Sequence, residues 1–282
     1  MPKPIGPTIP RWQLGEQLAR LRDEADLSQA DMAKSLGCSV SKIQKIEAGD
    51  VGIVRSELLA MLDAYGAMDD PLRAELLELQ RLGKQRGWWS TFGQLPTPFA
   101  TLLGMESAAT SIRVFEPTIV YGLLQTREYT TELIRAAQPE LADADRQWRI
   151  RHARQQRVLG DDPPTIHVIL DEAALRRPVG GPSVMRNQLN NLLSLPRHVT
   201  LQIVPFAAGS YPGQLGSLAI FEFPPKLHSP VAYAETQAGN LYIEKEQDLH
   251  RCTVRFNRIA EMALSEADSS ALVTRIIREM TQ

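Results

Sequence analysis

The stretch Leu27-Ser28-Gln29-Ala30-Asp31-Met32-Ala33-Lys34-Ser35-Leu36-Gly37-Cys38-Ser39-Val40-Ser41-Lys42-Ile43-Gln44-Lys45-Ile46-Glu47-Ala48-Gly49-Asp50 reads as two short helices joined by a tight turn. Ser28 suits an N-cap, and Asp31 stands at the capping-box spacing behind it. Met32, Ala33 and Leu36 supply an apolar stripe at helical period. Gly37 can take the left-handed conformation that ends a helix, because it has no Cβ to clash. Ser39 then suits a second N-cap, Val40, Ile43 and Ile46 carry the period onward, and Gly49 closes the second helix. Upstream, Leu14, Leu18 and Leu21 predict a helix from Arg11 to Glu24. Downstream, Val51–Val54 reads as a loop. Leu58, Leu59 and Leu62 predict a helix from Arg55 to Tyr65. Asp69-Asp70-Pro71 opens a fifth, running through Leu72, Leu76, Leu77 and Leu79 to Leu82.

Two short capped helices around a glycine turn form the helix-turn-helix pattern, whose second helix lies in the major groove of DNA. The alternative, a plain helical hairpin in a core, does not call for this agreement of caps, turn and spacing. The stretch resembles the helix-turn-helix of phage repressors, Cro proteins and the large bacterial regulator family named after the xenobiotic response element. Gln29, Ala33, Gly37, Ser39, Ile43, Ile46, Glu47 and Gly49 carry the match. The resemblance implies that Val40, Ser41 and Lys45 face base edges, with Gln44 at a flanking base or the backbone. It implies that Gln29, Ser39 and Lys42 hold phosphates.

With 282 residues, 43% hydrophobic and 23% charged, the chain has the composition of a globular protein of one large or two ordinary domains. No apolar run reaches bilayer length and no secretory signal opens the chain, so a cytoplasmic protein without a membrane contact is expected. Cys38 and Cys252 are spaced neither as a metal site nor as a disulfide framework. The net charge is -2, and residues 1–60 hold eight Lys/Arg against eight Asp/Glu. Phosphate attraction dominates DNA affinity, so a module this neutral needs a second copy. The expected partners are double-stranded DNA with a near-palindromic operator and a second copy of the chain.

The prolines of residues 1–10 predict a flexible arm, and residues 11–83 the five-helix DNA-binding domain. Residues 84–104, with Gly87-Trp88-Trp89, Phe92-Gly93, Pro96 and Pro98, are expected as a linker. An α+β domain with a small, mostly antiparallel sheet is expected over 105–282. Within it, helices are expected over Glu106–Arg113, Tyr129–Ala137, Asp143–Leu159, Glu172–Arg176, Pro182–Leu195, Glu246–Ala263 and Glu266–Met280. Strands are expected over Thr165–Leu170, Val199–Val204, Ser217–Phe223, Val231–Glu235 and Leu241–Ile243, with turns at Pro224-Pro225 and Gly239-Asn240.

This second region resembles the effector domain of actinobacterial antitoxin-like transcriptional regulators. The match rests on Gly87-Trp88-Trp89, Ile112 with Phe115-Glu116-Pro117, Gly122-Leu123-Leu124-Gln125-Thr126 with Tyr129, and Leu170-Asp171-Glu172-Ala173-Ala174-Leu175-Arg176. It continues through Val179-Gly180-Gly181-Pro182 with Met185 and Leu189, Gln202-Ile203-Val204-Pro205-Phe206, and Glu235-Thr236. Tyr121 stands where proline is expected. The resemblance implies a DNA-binding regulator, often encoded beside a very small partner protein.

No nucleophile elbow, phosphate loop or zinc-helix motif occurs, and the five histidines are scattered, so no enzyme, cofactor or metal is expected. Asp171 reads as a helix N-cap sooner than as an acid–base pair with Glu172. Arg146, Arg149, Arg151, Arg154 and Arg157 form either a solvated helix face paired with nearby carboxylates or a patch for DNA or an acidic partner. Trp88 and Trp89 either anchor the linker on the second domain or join Arg149 in a ligand or partner surface. Cys38 reads as a small filler sooner than a redox switch. The function expected is a dimeric, sequence-specific transcriptional regulator whose second domain dimerises and senses a small partner protein or ligand. The alternative is an antitoxin-like module that neutralises a small partner encoded nearby.

Overall fold

A computed structural model describes residues 5–137, 144–225, 227–236 and 239–280. They form two compact units, Met1–Ala108 with Phe223–His228, and Ala109–Glu222 with Ser229–Gln282. The first contains α1 (Thr8–Glu24), α2 (Gln29–Ser35), α3 (Val40–Glu47), α4 (Arg55–Ala64), α5 (Asp70–Gly83), a 3₁₀ turn over Trp88–Phe92, and α6 (Thr97–Ala108). All five expected helices are present. Leu18, Ile43, Leu58, Leu62 and Leu76 are fully buried, which joins α1, α3, α4 and α5 in one core.

Two boundaries differ from the expectation. Of the arm placed at residues 1–10, residues 1–4 lie outside the described residues, and α1 already begins at Thr8 with Ile9 fully buried. Pro7 is the N-cap and Pro10 lies in the first turn. Backbone N–H groups there have no intrahelical partner, so proline costs no hydrogen bond. The stretch 84–104 is not a free linker. Leu103 and Met105 of α6 are buried, and α6 packs on α1. The division between the units falls after Ala108.

The second unit holds β1 (Ser111–Glu116), α7 (Arg127–Ala137), α8 (Ala144–Leu159), β2 (Thr165–Asp171), α9 (Glu172–Arg176) and α10 (Gly181–Leu192). It continues with β3 (Val199–Val204), β4 (Leu218–Glu222), β5 (Val231–Thr236), β6 (Gly239–Ile243), α11 (Glu246–Met262) and α12 (Glu266–Glu279). The expected helix start at Asp143 lies outside the described residues. Helix was expected over Glu106–Arg113; α6 instead ends at Ala108, and Ser111–Glu116 is a strand. Gly239 and Asn240, expected as a turn, open β6.

The sheet runs β3-β2-β1-β4-β5-β6. β1 pairs parallel with β2 and β2 with β3, while β1–β4, β4–β5 and β5–β6 are antiparallel. The sheet is therefore mixed, with three antiparallel pairings of five. Parallel neighbours need long crossovers, and α7–α8 and α9–α10 supply them. One sheet face, with Phe115, Ile169, Ile220 and Ala232, packs on Phe256 and Ile259 of α11. The β3 edge is closed: Leu264 N donates to Ile203 O at 2.8 Å, and Ile203 N to Ser269 Oγ at 3.0 Å.

At the end of β1 the Glu116 side chain is half-buried. Burial first, and the neighbouring Glu235 second, push its pKa from 4.5 up to about 8, with Arg154 opposing. The folded chain therefore keeps a proton that the unfolded chain releases between these values, and stability falls as pH rises through that window. Glu116→Gln should raise the urea midpoint of the full chain at about pH 9 and change it little at about pH 5. An equal gain at both would contradict the burial argument.

Candidate nucleic-acid interface

Local chemistry places the helix pair. Asp31 N donates to Ser28 Oγ at 3.1 Å and Ser28 N to Asp31 Oδ2 at 3.0 Å, a reciprocal capping box on α2. Gly37 adopts φ +62°, and Cys38 N returns to Ala33 O at 2.9 Å, closing the helix end. Ser39 Oγ accepts from Lys42 N at 3.3 Å and caps α3. Gly49 (φ +71°) ends α3 in the same way, with Asp50 N on Lys45 O at 2.9 Å. Gly15 of α1 lies directly against the carbonyl oxygens of Ile46 and Glu47, so a side chain at position 15 would push α3 away.

α3 has two distinct faces. Ile43 and Ile46 are 0% and 2% exposed. At about 100° per residue, Val40, Ser41, Gln44 and Lys45 fall within an arc of about 140° on the opposite side. All four are exposed, and Val40 keeps 40% of its surface, an unusual allowance for valine. Short, exposed side chains along a helix face are what the major groove admits, and a valine methyl can meet a thymine methyl. Lys45 has no ion pair among the described residues.

The residues expected at phosphates sit differently. Ser39 is exposed but serves as the cap. Gln29 Nε2 donates to Glu47 Oε2 at 2.7 Å. Lys42 Nζ pairs with Glu57 Oε1 of α4 at 2.5 Å, which raises its pKa. Glu47 also receives Arg22 Nε at 2.7 Å and Nη2 at 3.1 Å. Arg22 Nη1 reaches Leu27 O at 2.8 Å. The Arg22 and Glu47 side chains are only 11% and 6% exposed. A bidentate, buried pair thus ties α1 to the end of α3, and Gln29 brings in α2. Glu47 belongs to the sequence motif, but nothing local points to Arg22, which lies 25 residues away.

Trp88 Nε1 donates to Ser107 Oγ at 3.2 Å, and its ring meets Trp89 edge-on at 5.9 Å. Both tryptophans lie in the first unit, whereas Arg149, exposed on α8, lies in the second. Ser107 belongs to the first unit as well, so this bond does not anchor the stretch on the second domain, and Trp88, Trp89 and Arg149 do not share a unit. Of the arginine run, Arg154 is buried and Arg151 Nη1 donates to Gln125 Oε1 at 2.6 Å, so the run is not one solvated face. Asp171 caps α9 by accepting from Ala173 N at 2.7 Å, and Tyr211 donates to its other oxygen. Cys38 and Cys252 are both half-buried free thiols. Among the described residues no helix is long and apolar enough to cross a membrane, and no cluster of His, Cys, Asp and Glu has metal-site form.

No curated protein and no solved structure matches the chain. Residues 13–76 match a family model described as a helix-turn-helix domain, which makes the protein a DNA-binding regulator. Residues 99–275, more than half of the chain, match the family model described as "Domain of unknown function (DUF5753)", and the chain belongs to that family.

Proposed function

We propose that the protein acts as a homodimer on a near-palindromic operator and regulates transcription there. The exposed arc of Val40, Ser41, Gln44 and Lys45, backed by buried Ile43 and Ile46, carries this reading. In it, Val40, Ser41 and Lys45 read base edges and Gln44 a flanking base. Ser39 and Gln29 line the phosphate side, and Lys42 exchanges Glu57 for a phosphate on binding. The second domain binds rather than catalyses. It dimerises and senses a small partner protein or ligand, as implied for the antitoxin-like regulators it resembles.

Lys45→Ala should weaken operator binding by about 1–3 kcal/mol and relax preference at one base position. Lys42→Ala should weaken all sequences about equally and reduce the salt dependence. Titration against a panel of singly mutated operators separates the two. Identical profiles for both variants would show that the assignment of roles is wrong.

A further inference from the structure

The second unit contains a cavity of about 390 Å³ lined by α8, the turn Leu123–Thr126 and the end of α10 with Ser194–Pro196. That volume lies in the range of small-molecule sites. Hydrogen bonds within the unit hold its walls. Leu124 O accepts Gln188 Nε2 at 2.8 Å and Asn191 Nδ2 at 3.0 Å, while Thr126 N donates to Gln188 Oε1 at 2.7 Å. Gln155 Nε2 fixes Gln125 O at 2.8 Å. The cavity is thus preformed, and a ligand would not have to order it.

Its chemistry is selective. α8 carries arginines at 146, 149, 151, 154 and 157, and none of them lines the cavity. The helix turns a separate face to it, with Trp148, His152, Gln155, Gln156 and Leu159 spaced at three to four residues. Among the described residues, no carboxylate, guanidinium or ammonium group lines the walls. Trp148 stacks on His152, with centroids 5.5 Å apart and planes at 28°, and the pair gives the cavity an aromatic shelf. Leu123 and Leu124, both buried, also line it, and Asn191 and Ser194 add polar groups.

We propose that this cavity is a ligand site for an uncharged, flat small molecule that carries both apolar surface and hydrogen-bonding atoms. The proposal rests on the reading of the second domain as a sensing domain and names what it senses. Apart from the His152 imidazole, the described walls offer no ion partner for a charged ligand that gives up its hydration. A flat ring gains most from the Trp148 shelf.

The test uses the full chain and Nile red, an uncharged planar dye, followed by fluorescence titration. Wild type should show saturable binding at one site. Ser194→Trp, which fills the cavity, should weaken it at least about tenfold. Trp148→Leu, which removes the shelf, should weaken it also and serves where Ser194→Trp does not fold. Phe206→Ser, which removes an aromatic side chain 58% exposed elsewhere on the unit, should leave it unchanged. Absence of saturable binding, equal binding by wild type and the folded cavity variants, or tighter binding of the anionic dye anilinonaphthalene sulfonate would overturn the proposal. Operator binding by the same wild-type sample is measured separately. Its loss would count against the regulator reading, while the dye titration alone judges the cavity.

Discussion

Glu47→Ala should cost the DNA-binding unit about 3–5 kcal/mol, the range for removing one partner of a buried ion pair. Arg22 would keep only the Leu27 carbonyl and the exposed Asp23, at 2.8 and 2.5 Å, to satisfy a guanidinium now 11% exposed. Gln29 would lose the acceptor for its amide at the same time. The loss exceeds that of a surface pair, which is worth about 0–1 kcal/mol. The Lys42–Glu57 pair, 38% and 27% exposed, gives the comparison: Glu57→Ala should cost far less. Urea unfolding of the full chain, followed by the loss of helical signal, measures both. Equal costs for the two substitutions would refute the ranking by burial. Since Glu47 closes α3, the same change should also lower operator affinity by letting α3 shift against α1.

Inserting about half a helical turn of DNA between operator half-sites should abolish tight binding. The argument begins with charge. Residues 1–60 hold equal numbers of acids and bases, so one module attracts phosphates weakly. The pairing of Lys42 with Glu57 withdraws a further cation until DNA competes for it. Side chains as short as Val40 and Ser41 read few base pairs. One copy is too weak to stand out among the competing sites of a genome. Two copies about a twofold axis must present their α3 helices to the same face of the duplex, one turn or a whole multiple apart. Half a turn puts the second half-site on the far side, and affinity should fall toward the non-specific level, a loss of about 10³-fold or more. A full-turn insertion should restore part of it. Tight binding of one subunit to a lone half-site, shown by mass, would sink the dimer.

Sequence alone determined the parts whose causes lie within a few residues of one another. Ser28 with Asp31, Gly37, Ser39 and Gly49 set both helices of the motif because caps and left-handed closures act over one turn. The apolar period of α1, α4 and α5 named Leu14, Leu18, Leu21, Leu58, Leu62, Leu76 and Leu79, which the structure buries, together with Leu59, Leu72 and Leu77, which it leaves half-buried. Asp171 was legible as a cap for the same reason: Ala173 N donates to its Oδ1 at 2.7 Å. Composition misled where its rule had a local exception, since prolines at a helix start are harmless, and α1 therefore reaches back to Thr8. Tertiary structure decided everything that joins distant positions. Ser111–Glu116 alternates weakly as a sequence and becomes a central strand because β2 and β4 flank it, 54 residues downstream at Ser111↔Thr165 and 111 at Ser111↔Glu222. The mixed strand order, the Arg22–Glu47–Gln29 clamp, the capture of Lys42 by Glu57 and the uncharged face of α8 are all of this kind. Each depends on which surfaces meet once the core has closed, and that is a property of packing between elements, which no periodicity along the chain records.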